Sequence, residues 1–254
     1  MRAATTIATL PRARGRDREA SRSTILAAAL AEFAGHGLAG ARMDAIASAA
    51  GVNKALLYYY FRSKDELYAA VLDEFFQRLR TRIGRALDTG TSPGERILLY
   101  ARAHFDCVSE SRHYARLVHD EMSVGGEGSP HLRHIVENYI RPIALRVLEV
   151  LREGSATGEF RQVDPAQFAP TMAASIVTYF VSPVVRRLRA GDPYAPDAIK
   201  ERRAAVLDFI AAALFFDRTA GLKMAAEIAG RPIEQNSCCA KPSAARSQAP
   251  RRRQ

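Results

Sequence analysis

The sequence predicts an all-α protein in two parts: a small N-terminal three-helix unit built around a helix-turn-helix, and a larger C-terminal helical unit. Three observations carry this. Apolar residues recur at three- and four-residue steps along most of the chain, as at Leu67, Val71, Phe75 and Leu79, the period of a helix buried on one side. No apolar–polar alternation runs long enough for a strand, and no internal repeat appears. Glycine, proline and asparagine punctuate the apolar runs where helices should end.

The elements follow in order. Residues 1–18 form a basic extension, Arg-rich but without the apolar core of a secretory signal. Residues 19–79 form the first unit, with Ile25, Leu26, Ala29 and Phe33 on its opening helix. The helix-turn-helix spans 42–61. Ile46, Ala47 and Ala50 make a buried stripe, and small alanines allow close helix crossing. Gly51 suits a left-handed helix end, Val52 plugs the corner, and Asn53 is a strong N-cap. Leu57 and Phe61, four apart, face inward. Lys54, Ala55, Leu56 and Tyr59 are left outward on the second helix. Three consecutive tyrosines, Tyr58, Tyr59 and Tyr60, point in different directions at a 3.6-residue period, so they cannot all be buried. Exposed tyrosines beside Lys54, Arg62 and Lys64 suit a surface that meets phosphates and base edges.

A long connecting helix runs from Asp65 to about Leu87. Pro93 opens the next helix, 94–108, and another follows at 112–123. The run Gly125 to Pro130 breaks the chain. A helix spans 131–153, disturbed at Pro142, and Gly154 to Arg161 is a turn. Helices at 165–189 and 196–217 close the second unit, 80–217. Residues 218–254 read as a basic, largely disordered tail, with room for a short helix at 220–229.

On these residues the chain resembles the TetR/AcrR family of bacterial regulators. The likeness runs from Ser23 to Glu74, through Ile25-Leu26, Ala29, Phe33, Gly37, Ile46-Ala47, Ala50-Gly51-Val52, Leu57-Tyr58, Phe61, Ser63-Lys64 and Leu67. Beyond that stretch it is architectural only. The resemblance implies a DNA-binding repressor with Tyr58, Tyr60 and Lys64 on phosphates and Lys54, Ala55, Leu56 and Tyr59 reading bases, with Asn53 also counted in the DNA-binding set. A lysine can donate to guanine O6/N7, and Ala55 and Leu56 can meet thymine methyls. The family's hydroxyl cap at the start of the first motif helix is missing; Ala41 and Arg42 stand there, and Arg42 offers a longer, charged donor to phosphate. The resemblance further implies a homodimer reading a near-palindromic double-stranded operator, paired through the last two helices. Phe168, Met172, Val206, Phe209, Ile210 and Leu214 are the candidate interface residues. The alternative is that both stripes face only their own core, but the last helix is apolar on more than one side, which favours the homodimer. A small-molecule effector would sit in the second unit; Tyr100, His104, Tyr139, Tyr179 and Phe180 are candidates by residue type.

Charge supports this locally. The chain carries +10 overall, but residues 1–24 hold +4 and 218–254 hold +6, leaving 25–217 neutral. Within that part, Arg42 to Lys64 holds four basic residues against Asp44, so positive charge is focused on the motif and the ends. No apolar run reaches the roughly 18 residues a membrane span needs, and a cytoplasmic, nucleoid-associated protein is expected. Cys107 reads as a buried thiol, and Cys238-Cys239 as a reduced pair in the tail or a soft-metal site. No cofactor, metal or catalytic residue is expected. His104–Asp106 and His119–Glu121 diverge on their helices, and no phosphate loop, nucleophile elbow or HExxH occurs. The alternative reading is a ligand-binding or enzymatic helical protein that does not bind DNA specifically.

Overall fold

The computed structural model describes residues 12–124, 128–188 and 191–232; the Cys238-Cys239 pair, part of the Gly125–Pro130 break and most of the basic ends lie outside them. All described elements are helical, with one isolated antiparallel bridge between Phe160 and Phe215.

Helix α1 (Arg12–Gly40) begins inside the stretch expected to be a flexible extension. It is interrupted at Gly37, whose φ of 67° needs glycine's freedom. Helices α2 (Met43–Ala49) and α3 (Lys54–Tyr60) follow. Then α4 (Lys64–Thr89) runs from the motif into the second unit. Its inward face holds Leu67, Val71, Leu72, Phe75, Phe76, Leu79, Ile83 and Leu87. Tyr68 meets Phe33 of α1 edge-on, ring centres 5.0 Å apart, so α1 and the start of α4 enclose one core with α2 and α3.

Helices α5 (Pro93–Ser109) and α6 (Arg112–Val124) are followed by α7 (Pro130–Ile135). Ser92 and Ser129 cap α5 and α7 through their side-chain oxygens. The disturbance expected at Pro142 takes the form of a π turn, Val136–Ile140, between α7 and α8 (Arg141–Ala156). Arg141 donates its N–H to Val136, one residue further back than in an α-helix. Pro142 has no N–H to offer the ladder, so the wider turn sits where one bond is lost anyway.

The helix expected over 165–189 is two: α9 (Pro165–Val181) and α10 (Pro183–Leu188). Pro183 forces the residue before it out of the helical region, and Ser182 is extended (φ −71°, ψ 122°). Helix α11 (Pro196–Leu214) leads to α12 (Arg218–Gly230). The latter corrects the reading of 218 onward as tail. Ala225 and Ile228 are fully buried, and α12 packs on α11 and α5. Its small residues allow close approach: a Cβ on Gly221 would lie 2.6 Å from the Phe215 ring. Phe215 in turn packs edge-on against Phe160, tying the α8–α9 turn to the α11–α12 turn.

The proposed interface residues divide. Met172, Val206, Ile210 and Leu214 are at most 2% exposed within one protomer; they belong to its core and have no surface left for a partner. Helix α11 packs on α12, α5 and α9, and Met172 lies on α9, which packs on α5, α8, α6, α10 and α11. Phe168 is partly buried, while Phe209 is 56% exposed. With Val184 and Leu188 on α10 and Phe216 after α11, Phe209 belongs to a set of large exposed apolar side chains.

Candidate nucleic-acid interface

The motif is built by backbone chemistry. Arg42 caps α2 in an extended conformation, and its N–H donates to the Glu32 carboxylate of α1 at 3.1 Å. That bond fixes the N-cap residue itself, and the first-turn N–H groups of α2 receive no side-chain cap. Met43, Ile46 and Ala47 are buried. At the other end Val52 N–H returns to Ala47 O and Gly51 N–H to Ser48 O, with Gly51 at φ 67°; this is a Schellman ending, which satisfies the orphan carbonyls and turns the chain sharply. Asn53 then caps α3 by accepting the Leu56 N–H at 2.8 Å. Its side-chain oxygen is therefore committed to the helix.

Leu57 and Phe61 anchor α3 at 0% and 3% exposure. Lys54, Ala55, Tyr58 and Tyr59 are exposed, Tyr59 most of the tyrosines, while Leu56 and Tyr60 are half-buried. Tyr60 lies between Tyr59 and Phe61, ring centres 5.5 and 6.5 Å away. Tyr60 is thus more a support for the other two than a free side chain. Arg22 of α1 sits over the Phe61 ring at 5.6 Å, adding a cation that the motif spacing does not reveal.

Two lysines are not free. Lys54 pairs with Asp44 of α2 at 2.8 Å, both largely exposed; the contact lowers the carboxyl's pKa and raises the ammonium's. The signal is an acid in the first turn of α2 facing a lysine that opens α3. Lys64 was expected on phosphate, but its Nζ donates to the carbonyls of Ala39 and Ala41, at 2.9 and 3.1 Å. The end of α1 leaves its last carbonyls without intrahelical donors; Lys64 reaches one of them, at Ala39, and the Ala41 carbonyl in the link to α2. Ser63 caps α4 by accepting the Glu66 N–H, and the Glu66 carboxylate accepts the N–H of Arg62. Arg62 thus keeps its guanidinium at the surface beside α3.

The five effector candidates are held in different ways. Tyr100 and His104, one turn apart on α5, approach at 3.4 Å. Burial raises the tyrosine's pKa and depresses that of His104 to about 4, so the imidazole is neutral at pH 7. Phe180 packs between Phe105 and Tyr194, and the Tyr179 ring carries Arg202 at 4.8 Å. Tyr139 is committed elsewhere: it stacks on Phe76 and donates to Asp73 at 2.9 Å. None of the five lines the open cleft of about 470 Å³ between α4, α5 and the end of α12.

Among the described residues no cluster of His, Cys, Asp and Glu could hold a metal, and no helix is long and apolar enough to cross a membrane.

Residues 25–71 match the family profile of bacterial regulatory proteins of the tetR family, and residues 93–210 that of the tetracyclin repressor-like C-terminal domain. The HTH-type transcriptional repressor SCO4008 of Streptomyces coelicolor is 32% identical over 201 residues, covering 76% of this chain and 98% of that protein. The HTH-type transcriptional repressor KstR2 of Mycolicibacterium smegmatis is 27% identical, over 73% and 88%. Among solved structures, the ketosteroid transcriptional regulator KstR2 of Mycobacterium tuberculosis shares the fold, with a TM-score of 0.59 at 22% identity over 82% of this chain and 93% of that one. A Schellman turn and an asparagine cap that present a basic, tyrosine-rich helix, carried on a helical second unit over nearly the whole length of a named repressor, place this chain in the TetR family of bacterial regulatory proteins.

Proposed function

We propose that the chain is a homodimeric repressor that binds a near-palindromic operator through α3 and is released by a small-molecule effector. The observation that carries DNA reading is the outward strip Lys54, Ala55, Tyr58 and Tyr59, held rigid by the buried Leu57 and Phe61. A helix this short, fixed at both ends, can enter the major groove without first paying to order itself. Tyr58 and Arg62 serve as phosphate contacts, and Lys54 and Tyr59 as base readers, with Ala55 and Leu56 as the apolar contacts. Lys64 acts mainly by fixing the end of α1.

Dimerisation is supported by the exposed set Val184, Leu188, Phe209 and Phe216. Each is a large apolar side chain left open to solvent, so a partner that covered it would gain from the burial. Two recognition helices then read half-sites one turn or a multiple apart. The named repressors among the relatives support the repressor sense. The test is fluorescence anisotropy with a labelled duplex of the region upstream of the protein's own coding sequence, against a scrambled duplex. A preference of at least a hundredfold is expected at 150 mM salt; equal affinities would refute specific DNA binding.

A further inference from the structure

The cleft of about 470 Å³ is lined by Arg82, Arg85, Arg102 and Arg231, with Asp106 as its single acid. Two helices face each other across it with matched spacing. Arg82, Arg85, Ala86 and Thr89 lie at i, i+3, i+4 and i+7 on α4, and Leu99, Arg102, Ala103 and Asp106 repeat that spacing on α5. Arg102 lies about 200° around α5 from both Tyr100 and His104, so the cleft and those residues occupy opposite sides of one helix.

The arginines are positioned by carboxylates outside the cleft. Arg82 donates to Glu110, and Arg231 to Glu95 at 3.0 Å. Each guanidinium has five donors, so both keep N–H groups for a further acceptor. Arg85 is exposed, and its guanidinium has no partner among the described residues. Asp106 does not offset this charge: Arg203 holds one of its oxygens at 2.7 Å and Arg102 the other at 3.5 Å. Arg102 also donates to the carbonyls of Ile228, Arg231 and Pro232 at 2.7–2.9 Å, which fixes the third wall. Leu99, Ala86, Ala103 and Pro232 supply apolar surface between the cations.

We infer that this cleft is a binding site for a small organic anion, a carboxylate or phosphate head on a short apolar body, held by Arg82, Arg85 and Arg231. Planar guanidinium forks match both head groups, which share the chemistry of adjacent anionic oxygens. The volume is that of an ordinary ligand site. Two other occupants fit poorly. The chain beyond Pro232 is itself basic, with Lys241, Arg246 and Arg251 to Arg253 against Glu234. Operator phosphates are too distant, because 18 residues of α4 separate Arg82 from Lys64, roughly 27 Å of helix. That same helix makes the site an effector site: an anion drawn between Arg82 and the α5–α12 wall acts on the element that carries the DNA-binding unit. This last step rests on the regulator reading; binding of the anion does not.

The test uses the full chain without DNA. Octyl phosphate, octanoate, inorganic phosphate and 1-octanol are titrated by calorimetry at fixed ionic strength, into wild type and into Arg85→Ala, Arg82→Gln and, as a control on α6, Arg116→Ala. Octyl phosphate or octanoate should bind at least tenfold more tightly than inorganic phosphate or octanol. Arg85→Ala and Arg82→Gln should each weaken that binding tenfold or more, with Arg116→Ala unchanged. Absence of binding at millimolar octyl phosphate and octanoate, an unchanged affinity in both cleft variants, or an equal loss in Arg116→Ala would overturn the site. Inorganic phosphate binding as tightly as octyl phosphate would overturn the apolar part of the ligand. Anisotropy on the operator duplex is read separately. Wild type that lacks operator preference refutes the regulator reading and leaves the site standing. Wild type that binds both operator and anion, with no release of DNA, refutes the effector role.

Discussion

Phe209 and Leu214 lie five residues apart on α11, and the structure assigns them opposite fates. Leu214 is fully buried in its own protomer, whereas Phe209 is 56% exposed. A phenylalanine presents about 200 Å² when fully exposed, so roughly 110 Å² of Phe209 remains to be covered by a partner. At about 25 cal/mol per Å², covering it contributes about 3 kcal/mol per protomer, or about 5–6 kcal/mol over the two copies of a symmetric interface. At 1.4 kcal/mol per tenfold, Phe209→Ala should weaken the dimer by up to about four orders of magnitude, an upper limit because interfaces relax. The protomer should keep its helicity and its melting midpoint when compared as a monomer at low concentration. Leu214→Ala removes a packed side chain at a site closed on all sides and should cost about 2–5 kcal/mol of protomer stability. Sedimentation equilibrium over nanomolar to micromolar concentrations, with urea unfolding in parallel, measures both. Should Phe209→Ala leave dimer affinity within threefold of wild type, α11 would not be the interface. Should it unfold the chain, its exposure in the protomer would carry no meaning for assembly.

The other predictions concern the ends, the motif and pH. Removing residues 218–254 deletes three carbonyl partners of the buried Arg102 together with Ile228; stripping the partners from a buried charge should cost about 3–5 kcal/mol in urea unfolding. Removal of 233–254 alone should leave unfolding unchanged and lower non-specific DNA affinity at low salt, because a net four positive charges are lost. Asp44→Asn should release Lys54 and raise affinity for all duplexes several-fold at 50 mM salt, while Lys54→Ala should weaken operator binding tenfold or more and broaden the tolerated bases at one position per half-site; a uniform loss across sequences would make Lys54 a phosphate contact. His104 titrates near 6.5 when unfolded and at about 4 when folded. Between those values the unfolded chain takes up a proton that the folded chain refuses, so stability falls as pH drops from 6.5 to 4 and levels off below, by at most about 3 kcal/mol. His104→Leu should flatten that slope relative to wild type in urea titrations at pH 7, 5.5 and 4.5.

The class of fold and the helix-turn-helix are legible because they rest on local chemistry. A glycine at the end of one apolar stripe, an asparagine three residues before a backbone N–H that needs an acceptor, and a leucine–phenylalanine pair four apart each act within a few residues. What is not legible depends on which distant segment covers which face. Helix α11 is apolar on two sides, and nothing in its own residues says that Val206, Ile210 and Leu214 turn inward while Phe209 stays out. That choice is made by the packing of α11 against α12, α5 and α9; the glycine and alanines of α12 look like tail composition, yet Gly221 permits the close approach of Phe215. Pro183 does signal its break; the apolar run on either side conceals it. Lys64 shows a different limit, since a lysine beside a motif looks the same whether it waits for phosphate or already holds two carbonyls. Tyr100, His104, Tyr139, Tyr179 and Phe180 stand out by residue type, and type does not report which side chains share a cavity. The arginines of the cleft come from α4, α5 and the residues after α12, and no spacing in the sequence links them.

The π turn at Val136–Ile140 has a mechanical meaning as well. A helix is a screw, and each residue advances it by about 100°. The widened turn holds one residue more than a regular winding would, so it sets the angular phase of α8 relative to α7. Upstream of it His134 meets Asp73 of α4 at 3.0 Å, and Tyr139 within it meets the same carboxylate at 2.9 Å; downstream, Arg146 reaches Asp88 near the far end of α4. Deleting a single residue from 136–140 would restore an even pitch yet turn everything after it by more than a quarter of a revolution. The meshing of both halves with one long helix would then be lost on one side or the other. The irregular turn works like a fixed coupling between two shafts, cut to a set angle.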